Sequence, residues 1–352
     1  MRGRLILPVA AASLIVVASP FIGEIRTAVE RTFPGQYLAL VLAAIVMPAV
    51  LAAALALVRI RDRRPLRYGL LAAAAAIATV YATVMQTTRT EQFHFTEYGV
   101  LTLLFYRAWR ARGDASAIVL PICASVVTGF VDEGFQWFVP SRVGEMRDVV
   151  LNGVGITCGV LVGVALAPPE RTAAPVPTKS RRPLAVAASG VIAAAALFLQ
   201  LVHLGYEIRH SEAGTFRTRF DPAALGRVST ERAERWRRDR PAPQPLISRE
   251  DHYLSEALFH VQWRNQMAST GDHWSAWKEN LILENFYAPV LEWGSPESKW
   301  PADQRDAMEA AAAKDAGSYV SAAYPFPIYD WNRTWFWGGV IAVVSLVWWA
   351  CR

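Results

Sequence analysis

The stretch "EQFHFTEYGVLTLLFYRAW", residues 91–109, sets His94, Glu97 and Tyr98 at the mouth of an otherwise apolar run long enough to enter a membrane. The spacing i, i+3, i+4 puts all three on one helical face. A charged group inside hydrocarbon costs about 2.5–3.5 kcal/mol on insertion scales. Polar groups kept there need partners or a task, so the fold turns on what surrounds this run.

The rest of the chain agrees with a membrane setting. Of 352 residues, 53% are hydrophobic and 19% charged, too apolar for an ordinary soluble domain of this size. The formal charge of +6 sits in short loops between apolar runs rather than on one soluble face, which argues against a nucleic-acid partner. Cys123, Cys158 and Cys351 all fall in apolar runs and carry no information on redox compartment.

Crossing about 30 Å of hydrocarbon takes roughly 20 apolar residues. About eight stretches approach that length: 5–23, 36–58, 68–86, 93–109, 116–139, 149–167, 184–203 and 335–351. The first resembles a cleavable signal peptide, with "MRGR" ahead of an apolar core and small residues in "VVASP". Its apolar run continues to Ile22, however, and the topology closes better if it is retained. With the N-terminus inside, fifteen basic residues fall in inner segments and five in short outer loops. This bias favours both termini in the cytoplasm and residues 204–334 outside.

The expected fold class is therefore all-α: a polytopic transmembrane helical bundle with an extracytoplasmic, mainly helical domain between the seventh and eighth spans. Its parts are an N-terminal span and outer loop (1–35), a membrane domain (36–168), a cytoplasmic Pro-rich basic linker (169–183), a span (184–203), the outer domain (204–334) and a last span (335–352). Within the outer domain, "DPAALGRVSTERAERWRRD" opens with an Asp-Pro cap, and "SREDHYLSEALFHVQWRNQM" and "PADQRDAMEAAAAKDAG" also read as helices.

Two further runs carry polar groups into apolar helices. "GFVDEGFQWFVPSR", 129–142, presents Asp132, Glu133 and Gln136, with Glu133 about 10 Å below Pro140 at helical rise. "RDVVLNGVGITCGVLVG", 147–163, sets Asp148 and Asn152 one turn apart, and Gly155, Gly159 and Gly163 form a ridge that lets another helix backbone approach closely. If that neighbour is the fourth or fifth span, three polar faces converge in an outward-open pocket. Glu97, Asp132, Glu133 and Asp148 outnumber Arg142 and Arg147 by two. Charge balance then requires a retained proton, a charged His94 or a bound cation.

These three motifs, "HFTEYGVL", "DEGFQWFVPSR" and "RDVVLNGVG", resemble in order and spacing the VanZ-like family of bacterial membrane proteins, over roughly residues 36–168. The resemblance implies an envelope-associated helical membrane module in the bacterial cytoplasmic (inner) membrane. The family is named after an accessory to glycopeptide-antibiotic resistance, and the resemblance names no reaction.

The site reading is an outward-facing polar pocket that binds or acts on an envelope component, such as a lipid-linked precursor or a glycopeptide-related ligand. Glu133 or Glu97 would serve as general base and His94 as acid or base; Arg142 would anchor a phosphate or carboxylate, with Gln136, Asp132, Tyr98, Asp148 and Asn152 in binding roles. No activated nucleophile is found, since Ser141 has no identifiable base. The residues alone do not decide between catalysis and binding, and they call for no cofactor. One alternative is a non-catalytic scaffold whose polar cluster fixes helix packing while the outer domain recruits a partner. Another is a small-solute or proton-coupled transporter, against which stands the lack of ionisable residues continuing to the inner face.

In the outer domain His252, Glu256 and His260 stand four apart on one stripe, but a straight stripe cannot close around one ion, so no metal is expected. Seven tryptophans there, among them Trp263, Trp274 and Trp277, suit core packing better than sugar stacking. The alanine-rich second and third spans read as lipid-facing filler, and oligomeric state is not legible.

Overall fold

The computed structural model describes residues 2–84, 89–138, 144, 146–170, 176–241, 251–324 and 326–352. The chain is mostly helical and divides into two compact units. The first comprises Met1–Gln136, Gly144–Phe198 and Trp337–Arg352, and the second is mainly Leu199–Phe336.

In the first unit, α1 (Arg2–Ala18) meets α2 (Ile22–Thr32) through a single tight turn at Ser19–Phe21. Pro20 explains the turn, because its ring and missing N–H interrupt the helical ladder. There follow α3 (Tyr37–Arg59), α4 (Arg64–Val84), α5 (Arg89–Trp109), α6 (Ser116–Gln136), α7 (Met146–Leu166) and α8 (Thr178–Phe198), with α14 (Arg333–Ala350) returning at the chain end. Among the described residues, six segments are long and apolar enough to cross a membrane: Gly3–Thr32, Tyr37–Arg59, Arg64–Thr83, Ser116–Gln136, Met146–Leu166 and Thr178–His203. Of the eight expected spans, α5 and α14 fall outside this set. Four tryptophans and Arg333 dilute α14, and polar residues fill the first half of α5. α8 starts at Thr178, inside the stretch read as linker, with Pro183 in its second turn.

The dilution of α5 follows from its place. It packs against α1, α3, α6 and α7, and Tyr98, Leu101 and Phe105 are buried among them. The glycine ridge of α7 lies directly on it. A Cβ on Gly155 would stand 2.3 Å from the Phe95 carbonyl oxygen, and one on Gly159 2.4 Å from the Gly99 carbonyl oxygen. Only glycine lets two backbones meet so closely.

The far end of this seam is closed by hydrogen bonds to the last carbonyls of α7, which have no helical partner. The buried Arg67 donates Nε to Ala165 O at 2.6 Å and Nη2 to Leu166 O at 3.0 Å, and Tyr106 donates its hydroxyl to Ala167 O at 2.6 Å. Between α5 and α6, Asp114 accepts from Ser116 N and from the Ser180 hydroxyl, both at 2.8 Å, joining this loop to α8. Burial opposes the Asp114 charge, but the hydrogen bonds from Ser116 and Ser180 outweigh it and hold the carboxyl below its usual range. The alanine-rich α3 and α4 are more than filler: with α5 and α7 they frame an apolar cleft of about 480 Å³.

The second unit adds an element that helical periodicity missed, a hairpin of β1 (Tyr206–His210) and β2 (Gly214–Thr218) paired antiparallel with Ile208 opposite Phe216. Gly214 has φ +92° and the Tyr319 backbone against it, so no side chain fits there. Around the hairpin stand α9 (Pro222–Arg238), α10 (His252–Thr270), α11 (His273–Phe286), α12 (Ala288–Trp293) and α13 (Ala302–Ala312). The Asp-Pro signal is a true cap: Asp221 accepts from Ala224 N at 2.8 Å. Phe216, Trp236, Tyr253, Ile282 and Tyr287 form the core.

Candidate functional site

Close contact between α5 and α7, with α6 alongside, carries the three polar motifs to one place. Tyr98 on α5 donates its hydroxyl to Asp132 Oδ2 on α6 at 3.1 Å. Gly129, one turn before Asp132, faces both Tyr98 and Asn152: a Cβ there would lie in ordinary contact, 3.6 Å from the Tyr98 ring and 3.7 Å from Asn152 Nδ2 on α7. On α6, Gln136 Nε2 donates to Glu133 Oε1 at 3.2 Å. Tyr98, Asp132, Glu133, Gln136 and Asn152 are each at most 2% exposed. His94 Nδ1 and Glu97 Oε2 form a 3.1 Å pair at the rim, with side chains 25% and 22% exposed. Both act electrostatically on Asp132.

The interior of this cluster is incompletely satisfied. Among the described residues Asp132 Oδ1 and Asn152 Nδ2 are buried with no hydrogen-bond partner inside 3.5 Å, although Gln136 stands close enough to act on the Asp132 carboxyl. An unmet buried polar group costs about 1–3 kcal/mol, and in hydrocarbon no water replaces the bond. Chemically, the arrangement offers a carboxylate acceptor on α6, an amide donor on α7, a tyrosine hydroxyl between helices, and a histidine–glutamate pair at the edge.

Of the residues read from the sequence, Tyr98, Asp132 and Asn152 gather in the seam, Glu133 and Gln136 pair on α6, and His94 and Glu97 stand at its edge. Asp148 lies in the first turn of α7, where the helix dipole favours a negative charge. Arg142, the anticipated anion anchor, and Ser141 lie outside the described residues. Two members of the cluster escaped the sequence reading. Thr102 donates to Tyr98 O at 2.7 Å and contacts Ser125 Oγ on α6 at 2.9 Å, forming a buried crosslink one turn below Tyr98. Their signal was only the i+4 spacing from Tyr98, easily lost among small residues in an apolar run.

Residues 36–167 match the VanZ/LLP1 family model. No curated protein and no solved structure matches the chain. The matched range ends one residue short of the expected boundary, and it contains α3 to α7 with the whole cluster. The VanZ-like segment therefore supplies every member of the site described above, and α1 packs against it through α5 and α6.

The second unit, outside the VanZ-like match, buries polar groups of a different kind. Glu256 accepts from the Thr218 hydroxyl at 2.6 Å, Tyr287 hydroxyl at 3.0 Å and Arg219 N at 3.0 Å. Burial still pushes its carboxyl above the usual range, against those hydrogen bonds. His260 Nδ1 pairs with Glu279 Oε2 at 2.6 Å, and Tyr319 donates to Glu279 Oε1 at 2.5 Å. His252 instead stacks on Trp137, with ring centroids 5.2 Å apart. The stripe His252, Glu256, His260 thus goes to three separate partners. Among the described residues no cluster of metal-ligating side chains forms. Trp236, Trp277 and Trp300 are buried.

Proposed function

We propose that the VanZ-like segment binds, or acts on, a cell-envelope component of bacteria at the polar seam between α5, α6 and α7, on the outer side of the cytoplasmic membrane. The observation that carries this reading is a pair of buried atoms, Asp132 Oδ1 and Asn152 Nδ2, with no hydrogen-bond partner among the described residues, in a seam where Gly155 and Gly159 are packed to backbone contact. A buried carboxylate oxygen is the costliest of such groups to leave unmet, and here it lies in the same seam as an unmet amide donor. A ligand with a hydroxyl or amide group meets both. His94 and Glu97, half-exposed at the rim, would receive its more polar part and exchange protons with it. The excess of basic residues in the loops at the other helix ends supports the outward orientation.

The test compares full-length wild type with Asp132→Asn and Asn152→Leu, each purified from its own membrane, by mass spectrometry of organic extracts and by thermal unfolding. The expected result is an envelope lipid or glycan retained by the wild type and reduced about tenfold or more in the variants, with unfolding changed by less than the roughly 1.4 kcal/mol such a factor represents. No retained species in the wild type, or variants that fail to accumulate, would favour the scaffold reading, in which the Tyr98–Asp132 and Thr102–Ser125 links serve packing alone.

A further inference from the structure

At the end of the first unit away from the polar seam, a cavity of about 700 Å³ opens between the first turns of α1, the last turn of α5 and the residues following α7. Arg4, Arg107 and Arg110 line it, joined by one acidic side chain, Glu170. Its other walls are apolar, with Leu7, Pro8 and Leu104 on the side toward the spans.

All three arginines are exposed, and together they concentrate positive charge around one cavity where an anion is favoured. Among the described residues none of the three is ion-paired; Glu170 lines the same space and pairs with none of them. The helix dipole accounts for part of this arrangement: Arg107 and Arg110 stand at the end of α5, where positive charge is favoured. It does not account for Arg4, which lies in the first turn of α1, where the same dipole disfavours a cation. The inner-face charge bias places all three at this end of the spans; what the fold adds is that they line one cavity.

We propose that this cavity binds the phosphate-bearing headgroup of an anionic membrane lipid. Guanidinium groups match phosphate oxygens with two parallel hydrogen bonds, and three of them surround the space. The apolar wall selects a lipid over a soluble phosphate. Leu7 is 59% exposed and Ile6 70% exposed on α1, so acyl chains leaving the headgroup run along hydrocarbon-facing side chains rather than through water. Basic pockets between membrane helices at the membrane boundary are suited to such headgroups. The lipid would join α1, which lies outside the family match, to the end of α5, the helix that carries Tyr98. This site is independent of the polar seam and of its ligand.

The experiment incorporates the full-length protein into nanodiscs of equimolar phosphatidylglycerol and phosphatidylcholine and counts retained lipids by native mass spectrometry. The wild type retains phosphatidylglycerol preferentially. That preference falls by roughly fivefold for each arginine removed in Arg4→Gln, Arg107→Gln and Arg110→Gln, the equivalent of about 1 kcal/mol each. Equal retention of both lipids by the wild type, or an undiminished preference in the triple glutamine variant, overturns the proposal. So does displacement of phosphatidylglycerol by millimolar inorganic phosphate, which would make this a soluble-anion site. If the triple variant does not fold, a salt titration of the wild type decides: preference lost as ionic strength rises well above about 0.15 M supports a headgroup held by exposed arginines, and salt-insensitive retention overturns it.

Discussion

Both units bury charged and amide side chains, but they treat them differently. In the second unit the buried charged groups are well partnered. Glu256 accepts three hydrogen bonds, Glu279 holds both His260 and Tyr319, and Arg264 donates to Asn280 Oδ1 at 2.9 Å and Ser298 O at 3.0 Å while lying over the Trp300 ring. Neutral groups of this unit are met less fully: Gln200 Oε1, His260 Nε2, His273 Nδ1 and Trp293 Nε1 are buried with no hydrogen-bond partner among the described residues. In the membrane unit Ser19 Oγ, Asn152 Nδ2 and a carboxylate oxygen of Asp132 are buried with no partner among the described residues. An unmet carboxylate oxygen costs more to bury than an unmet neutral group, so the contrast between the units rests on Asp132.

The comparison can be broken first where its effect is greatest. Arg264 is fully buried, and burial brings its guanidinium down to about 10, against the opposing charges of Glu284 and Glu279. It therefore stays charged at neutral pH. Arg264→Leu strands the Asn280 amide and the Ser298 carbonyl and leaves nearby acidic charge uncompensated. It should lower stability by about 3–5 kcal/mol, read as an earlier unfolding transition in tryptophan fluorescence. If the variant melts like the wild type, saturation is no mark of a structural role.

The next effect lies in the membrane unit and sharpens the packing side of the argument. Gly159→Ala drives a methyl group into the Gly99 carbonyl and the Thr102 side chain, and should cost about 1–3 kcal/mol by forcing α5 and α7 apart. Gly153, on the same helix, has open space where its Cβ would stand, so Gly153→Ala should be neutral or gain up to about 1 kcal/mol of helix propensity. Thermal unfolding of the two variants side by side checks the pair, and equal effects would mean that the ridge does not set the seam.

The smallest effect is a pH dependence at the edge of the second unit. Burial raises the Glu284 carboxyl, but hydrogen bonds from Arg305 and Asn280 and the Arg305 charge prevail and hold it below the usual value of 4.5. A carboxyl lowered in the folded state stabilises it above the ordinary value and loses that contribution as pH falls through the lowered one. With Arg305 Nε only 2.7 Å away and both side chains roughly a third exposed, the contribution is about 0.5–1 kcal/mol after solvent screening. Glu284→Gln should be less stable than wild type at neutral pH by that amount, and the two unfolding curves should approach each other below pH 4.5. A gap that persists at pH 3 would assign the effect to packing.

Much of the architecture was legible in the chain itself, because its causes are local. Apolar runs of membrane length, Pro20 in the first of them, the Asp221 cap and the Gly155, Gly159, Gly163 ridge each state their structural consequence within a few residues. The motif residues of the VanZ-like segment were legible for the same reason: a glutamate or aspartate in an apolar helix is costly wherever that helix goes. What only the tertiary structure decided depends on which helix stands beside which. The α7 ridge could have faced any neighbour; its contact with the α5 backbone is what brings Asn152 to Tyr98 and Asp132. The hairpin at 206–218 escaped helical periodicity because its two five-residue strands are held by each other and by Tyr319 rather than by a repeat. Arg4 and Arg107, separated by about a hundred residues, line one cavity because α1 lies against α5, and charge in a sequence has no position in space until the chain has folded.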